Sequence, residues 1–337
     1  MILPDRAWHP AAMLSSRPVR LAVSLLLLTL GGAQAPLPVQ ESWSQQDWGA
    51  VETVVVTADG RGPAIWRLRR GGGEVWVLGT VGPMPEDLQW NRDSLKPFLA
   101  DARQLLLPPA PDVNFVDAAW FYLWNGDLLR QPRGQTLEAA LPEPLRADFI
   151  AARGLARQDQ DRYATDTPLV AAMRLQRDLT RARGLSRDEP RRTVERMARG
   201  QRIRVTRMGS FEMMPTVRAV LALPQDRQRP CLAQAVADAA RMAREARPAA
   251  EAWADGNIAA VKAHYAETRL LECVTAASQQ AAAINALSVS LIVTGLDEAL
   301  RTPGKSVAVI SIGPLLRQGG VLEQLAARGV TIDHPPE

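Results

Sequence analysis

Two uncharged apolar runs near opposite ends of the chain constrain its architecture more than any other feature. They are Val75 to Thr80 (VWVLGT) and Ser306 to Gly313 (SVAVISIG). Short apolar runs rich in β-branched residues and stopped by glycine read as buried strands. The second is the strongest such signal in the chain. Both run into a glycine turn, where a rigid strand end is a good place to hold reacting groups. The first turn continues with Val81, Gly82, Pro83, Met84 and Pro85, which offer no side chain to react.

Around these runs the pattern is that of an α/β chain. AIWRLRR, a three-glycine turn and EVWVLGT form a hairpin. Ile65 and Leu68 are expected to face inward, with Trp66 on the other face. Ser94 is a cap candidate for a helix presenting Leu95, Phe98, Leu99 and Ala102. QLLL (Gln104 to Leu107) then reads as a short strand stopped by Pro108 and Pro109. Strand, helix, strand is the order of a crossover and a parallel pair. GGVLEQLAARGVTI supplies a closing helix and a last strand.

The stretch between is mostly helical, with a strand candidate at Arg202 to Met208. Thr167-Pro168 opens an amphipathic helix that Gly184 ends. The long run after Pro230 is expected as two helices broken at Pro248 and Gly256. The resulting expectation is a central mixed sheet built from the N- and C-terminal strand segments. A helical insertion covers about 113–300, within one domain spanning 51–333. At 337 residues and 47% apolar, the chain can build a sizeable core.

Residues 1–35 have the form of a secretory signal. Arg17 and Arg20 precede ten apolar residues (Leu21 to Leu30), and Ala33 to Ala35 supply a cleavage site. Ten apolar residues are too few to span a bilayer as a stable helix. Pro36 disfavours cleavage, so a retained anchor is the other reading, and Met1 and Met13 both remain candidate starts. Residues 36–50 read as a linker and 334–337 as a tail. Glu52 to Ala58 (ETVVVTA) reads as a first strand. It also resembles a TonB box, but no barrel-like succession of strands follows. Cys231 and Cys273 form one disulfide if the chain is exported, and two buried thiols otherwise.

Charge excludes little except nucleic acid. Losing the leader removes three arginines and one aspartate, so the formal charge falls from +4 to +2. Positive charge concentrates from Arg181 to Arg207, where ten arginines face Asp188, Glu189 and Glu195. A solvated helical face is the plain reading. The functional one is an anionic partner, either lipid headgroups, an acidic polysaccharide or an acidic protein face.

In order and content, three segments resemble the TraB/GumN family, whose relatives include the Tiki proteases. GPAIWRLRRGGGEVWVLGTV (Gly62 to Val81) resembles its opening hairpin. EAWADGNIAAV (Glu251 to Val261) resembles its helix-turn element. SVAVISIGPLLRQGGVLEQLAARGVTI (Ser306 to Ile332) resembles its closing strand, turn, helix and strand. The resemblance implies a G-x-x-H turn after each of the two end strands and an acidic residue after the short strand. Together these would hold a divalent metal that activates water. Here the corresponding positions are Gly82, Leu316 and Pro108, and none has a side chain that coordinates a metal.

Few substitutes exist. The histidines are His9, His264 and His334, of which only His264 lies inside the domain. Glu212, Glu86 and Asp87 are the acidic candidates, each with a plainer reading as a solvated or helix-capping side chain. No G-x-S-x-G elbow or phosphate loop is present. No catalytic, cofactor-binding or metal-binding residue is therefore assigned. The expectation is a family member in the cell envelope that has lost its metal site and acts by binding. The alternatives are a metal-dependent hydrolase with relocated ligands (Glu212, Glu86, Asp87, His264) and an Arg-rich module for anionic envelope polymers or lipids.

Overall fold

A computed structural model describes Trp48, residues 62–265 and residues 267–333. The expected strand at Glu52 to Ala58, the leader and the tail lie outside the described residues. Six strands form the main sheet: β1 (Ile65–Arg70), β2 (Gly73–Thr80), β3 (Gln104–Leu107), β4 (Arg204–Arg207), β5 (Gly304–Ser311) and β6 (Thr331–Asp333). Their order is β6-β1-β2-β5-β3-β4. The β2–β5, β5–β3 and β3–β4 pairs are parallel, while β1 runs antiparallel to both β2 and β6. The chain is α/β, with a mixed sheet in which the two strongest sequence runs lie side by side at the centre. In register, Thr80 pairs with Ser311, so β2 and β5 end level and their following turns are neighbours.

The first strand corrects one expectation. Trp66 and Leu68 are the buried pair, and Ile65 is only half-buried. Side chains two apart share a face, so Trp66 must go with Leu68. Its ring lies over Gly79, where any Cβ would overlap it. Glycine there allows the close approach.

Nine helices carry the argument: α1 (Phe115–Trp124), α2 (Pro168–Ala182), α3 (Arg191–Gly200), α4 (Gln225–Ala254), α5 (Ile258–His264), α6 (Arg269–Ala277), α7 (Gln279–Arg301), α8 (Ile312–Leu316) and α9 (Val321–Ala326). α2 begins at Thr167-Pro168 as expected. The helical turn before β3 has a different cap from the one anticipated. Asn91 Oδ1 accepts from the amides of Asp93 and Ser94, so Asn91 holds this start while Ser94 lies inside the turn. Pro248 does not break α4, which runs on to Ala254 before Gly256. Proline removes one backbone hydrogen bond. The burial of Ala249, Ala250 and Trp253 holds the helix across that gap.

Two hydrophobic cores result. One packs both sides of the sheet, with Trp66, Val77, Leu105, Val309, Leu296 and Trp253 among its members. The other is wholly helical and contains Phe149, Tyr163, Leu175, Leu232 and Ala235. α4, about 45 Å long at 1.5 Å per residue, contributes its first half to the helical core and its last turns to the sheet core. A disulfide joins Cys231 on α4 to Cys273 on α6, with Cα atoms 5.3 Å apart.

α7 is long and apolar enough to cross a membrane. It carries Val289, Ile292, Val293 and Leu296 into the sheet core, and Arg70 and Arg301 hold its Asp297. Those contacts make it a core helix. α1 is the opposite case. Phe115, Val116, Trp120, Tyr122, Leu123 and Trp124 are all exposed, and Phe121 alone is buried. Trp120 and Trp124 stack on each other with ring centroids 5.9 Å apart.

Candidate functional site

Beyond the C-terminal ends of β2 and β5 lies an open cleft of about 370 Å³. Crevices outside strand C-termini are the usual ligand positions of parallel sheets. One wall is the turn after β2 (Val81, Gly82, Pro83), and Ser311 and Pro314 lie next to it at the end of β5. The opposite wall is the middle of α4, from Asp238 to Ala249. α4 passes there from the helical core to the sheet core. The end of α5 and the start of α6 add His264, Tyr265, Glu267, Thr268 and Leu271. The cleft therefore sits where the two cores meet, and apolar side chains mix with a few charged ones as in small-molecule sites.

The turn after β2 is rigidly held. Trp253 Nε1 donates to the Gly79 carbonyl at 2.6 Å, and the Trp253 ring meets Trp90 edge-on at 5.1 Å. Met84–Pro85 pairs with Leu185–Ser186, which brings the Arg187 segment alongside. The Arg187 carbonyl lies 3.7 Å from where a Cβ on Gly82 would be.

Each acid in the cleft has a partner. Asp238 accepts from Arg241 at 3.0 Å and from the amide of Leu270 at 3.1 Å. Arg241 also donates to the Glu267 carbonyl at 2.9 Å. Glu245 faces His264 Nδ1 at 3.0 Å. Glu267 lies 3.6 Å from Arg317 and is pressed against Gly313, where a Cβ would overlap its carboxylate. Burial raises the pKa of Glu267, and Arg317 opposes that shift. Burial likewise raises the Tyr265 phenol, which stays protonated at neutral pH.

Arg187 differs from these groups. Its guanidinium reaches Gln176 Oε1 at 3.5 Å, and among the described residues it has no carboxylate within ion-pair distance. Nearby walls lower its pKa by desolvation, yet the residue is exposed to solvent.

The residues singled out from the sequence fare differently. Gly82 and His264 line the cleft. Leu316 is buried at the end of α8, and Pro108 leaves β3 half-buried. Glu86 and Asp87 cap no helix, and Asp87 instead holds Arg247 at 2.7 Å. Glu212 pairs with Asp112 in a separate two-stranded ribbon. The four substitute ligands do not meet, and among the described residues no three His, Cys, Asp or Glu side chains are placed to hold a metal. A divalent ion of the kind the resemblance implied does not fit these residues. The arginine-rich stretch is divided among α2, a loop, α3 and β4. Arg191, Arg192, Arg196 and Arg199 pair with Asp188, Glu189 or Glu195.

A protein-family model described as TraB/PrgY/gumN matches residues 64–334, which takes in both strand ends and the cleft walls. The chain belongs to the TraB/PrgY/gumN family. No curated protein and no solved structure is matched. The matched range covers the hairpin, the closing strand and the residues that line the cleft.

Proposed function

We propose that this TraB/PrgY/gumN member is an exported, periplasmic or membrane-anchored protein that binds a ligand in the cleft and does not hydrolyse it. The observation that carries this reading is the pairing of the cleft acids. Asp238 and Glu267 each face an arginine, and Glu245 faces the ring nitrogen of His264. The turns beside them present Gly82 and Pro314 to the cleft, and neither side chain carries a metal donor. The apolar leader at Leu21 to Leu30 supports export.

The test is a thermal melt of the purified chain against Mn²⁺, Co²⁺ and Zn²⁺, with peptide and ester hydrolysis assayed beside it. An ion that binds only the folded state adds about 2.7 kcal/mol at 100 times its Kd. The expected result is no saturable shift and no hydrolysis. A saturable shift accompanied by hydrolysis that a chelator abolishes would show that ligands have moved, and would overturn the reading.

A further inference from the structure

Within the cleft, pairing leaves one group over. Asp238 is paired with Arg241, Glu267 with Arg317, and Glu245 with the Nδ1 of His264. Arg187 lines the same cavity with only an amide oxygen at 3.5 Å. A guanidinium is always charged, and its planar fork suits two parallel hydrogen bonds to one carboxylate. Arg187 is exposed to solvent at the cleft, so its guanidinium is free to meet an incoming anion. Its position is fixed from below. The Leu185–Ser186 pairing ties the segment to the turn after β2, and Ser186 Oγ accepts from the amides of Asp188 and Glu189 at 3.3 Å each.

We infer that the cleft is a binding site for a small organic acid with an apolar body, whose carboxylate is held by Arg187. Three features select this chemistry. One unmatched guanidinium balances one negative charge. Arg241 and Arg317 are already engaged by Asp238 and Glu267, which leaves one unpaired guanidinium among the described cleft residues and disfavours a dianion such as a phosphate ester. Val81, Pro83, Met242, Ala246, Ala249 and Leu271 give the rest of the ligand an apolar surface. The volume of about 370 Å³ lies in the range of small-molecule sites. The inference rests on the binding reading of the family cleft and gives it a ligand class.

The experiment is calorimetric titration of the purified full chain with straight-chain monocarboxylates from propanoate to hexanoate. The matching primary amides and inorganic phosphate serve as comparison probes. The expected result is saturable binding of the acids that strengthens with chain length, at least tenfold weaker binding of the amides, and weaker binding of phosphate. Arg187→Gln should lose at least tenfold in affinity for the acids. Arg187→Lys should keep part of it, because the charge stays and the fork is lost. Thermal melts of both variants check that they fold. Equal binding of acid and amide, unchanged affinity in Arg187→Gln, or no binding of any acid overturns the inference. Chelator-sensitive hydrolysis would instead sink the non-catalytic reading while leaving the arginine result standing, so the two failures are distinguishable.

Discussion

Reducing the Cys231–Cys273 bridge should destabilise the protein by about 4 kcal/mol. The figure comes from chain entropy, because the bridge closes a loop with a sequence separation of 42. Loops of about 15 and about 100 residues are worth roughly 3 and 4.7 kcal/mol on that model. For a domain of this size the loss corresponds to a fall in Tm of roughly 8 to 16 °C. Cys231 is 1% exposed inside the helical core, so the reduced form should be prepared by refolding under a phosphine reductant. Oxidised and reduced protein are then compared by calorimetry at one pH. The effect should also be local. The bridge pins α6 to α4, and the residues leading into α6 form one wall of the cleft. Amides of residues 267–274 should therefore lose hydrogen-exchange protection before those of β2 and β5. A reduced form melting within 2 °C of the oxidised one would refute the chain-entropy reasoning. Uniform loss of protection would refute the local part.

Four further outcomes follow from burial and exposure. Trp253→Ala should cost about 3–5 kcal/mol in chemical denaturation, and Trp253→Phe about 1–3 kcal/mol for the unmatched Gly79 carbonyl. Trp124→Ala, at a 74% exposed position, should stay within about 0.5 kcal/mol, and a larger loss would mean that α1 is covered. Asp166 is 2% exposed, and burial raises its pKa to about 6 against Arg174, which opposes the shift. Its carboxyl binds a proton more tightly folded than unfolded, so this group's contribution falls by about 3 kcal/mol as pH rises from about 4 to above 6. Urea titrations should show the stability of Asp166→Asn gaining on the natural protein across that window, and a constant gap would contradict the assignment. Gly313→Ala should expel Glu267 from its seat. Side-chain carbon-13 titration should then show its raised pKa returning toward the ordinary carboxylate range, whereas an unmoved titration would mean the two do not touch.

Much of the sheet was legible because its signals are local. The hairpin follows from a glycine turn between apolar runs, and the central strand from its uncharged run with Val307, Val309 and Ile310. The face of β1 was misread because Ile65 and Leu68 looked equally apolar, while strand alternation requires Trp66 to accompany Leu68. Pro248 misled for a different reason. Its local cost is real, but tertiary burial of Ala250 and Trp253 outweighs it, and no local pattern reports that. The cleft was the least legible part, since its walls come from separate stretches between Val81 and Pro314. Arg187 was hidden inside an arginine-rich run. Only the fold separates it from the neighbours that pair along α3.

The position of β5 also sets an order of assembly. β2 and β3 are close in sequence, yet they never touch across the sheet, because β5 lies between them. A nascent chain that has produced both strands has a slot one strand wide between them, and residues 304–311 fill it only after the whole helical stretch between has been made. Until then β2 and β3 expose edges that invite mispairing. The last strand, β6, then pairs with the first, β1. The sheet is thus completed by residues 304–333, and a chain cut short before Gly304 would retain the strands of a sheet without the one that joins its halves.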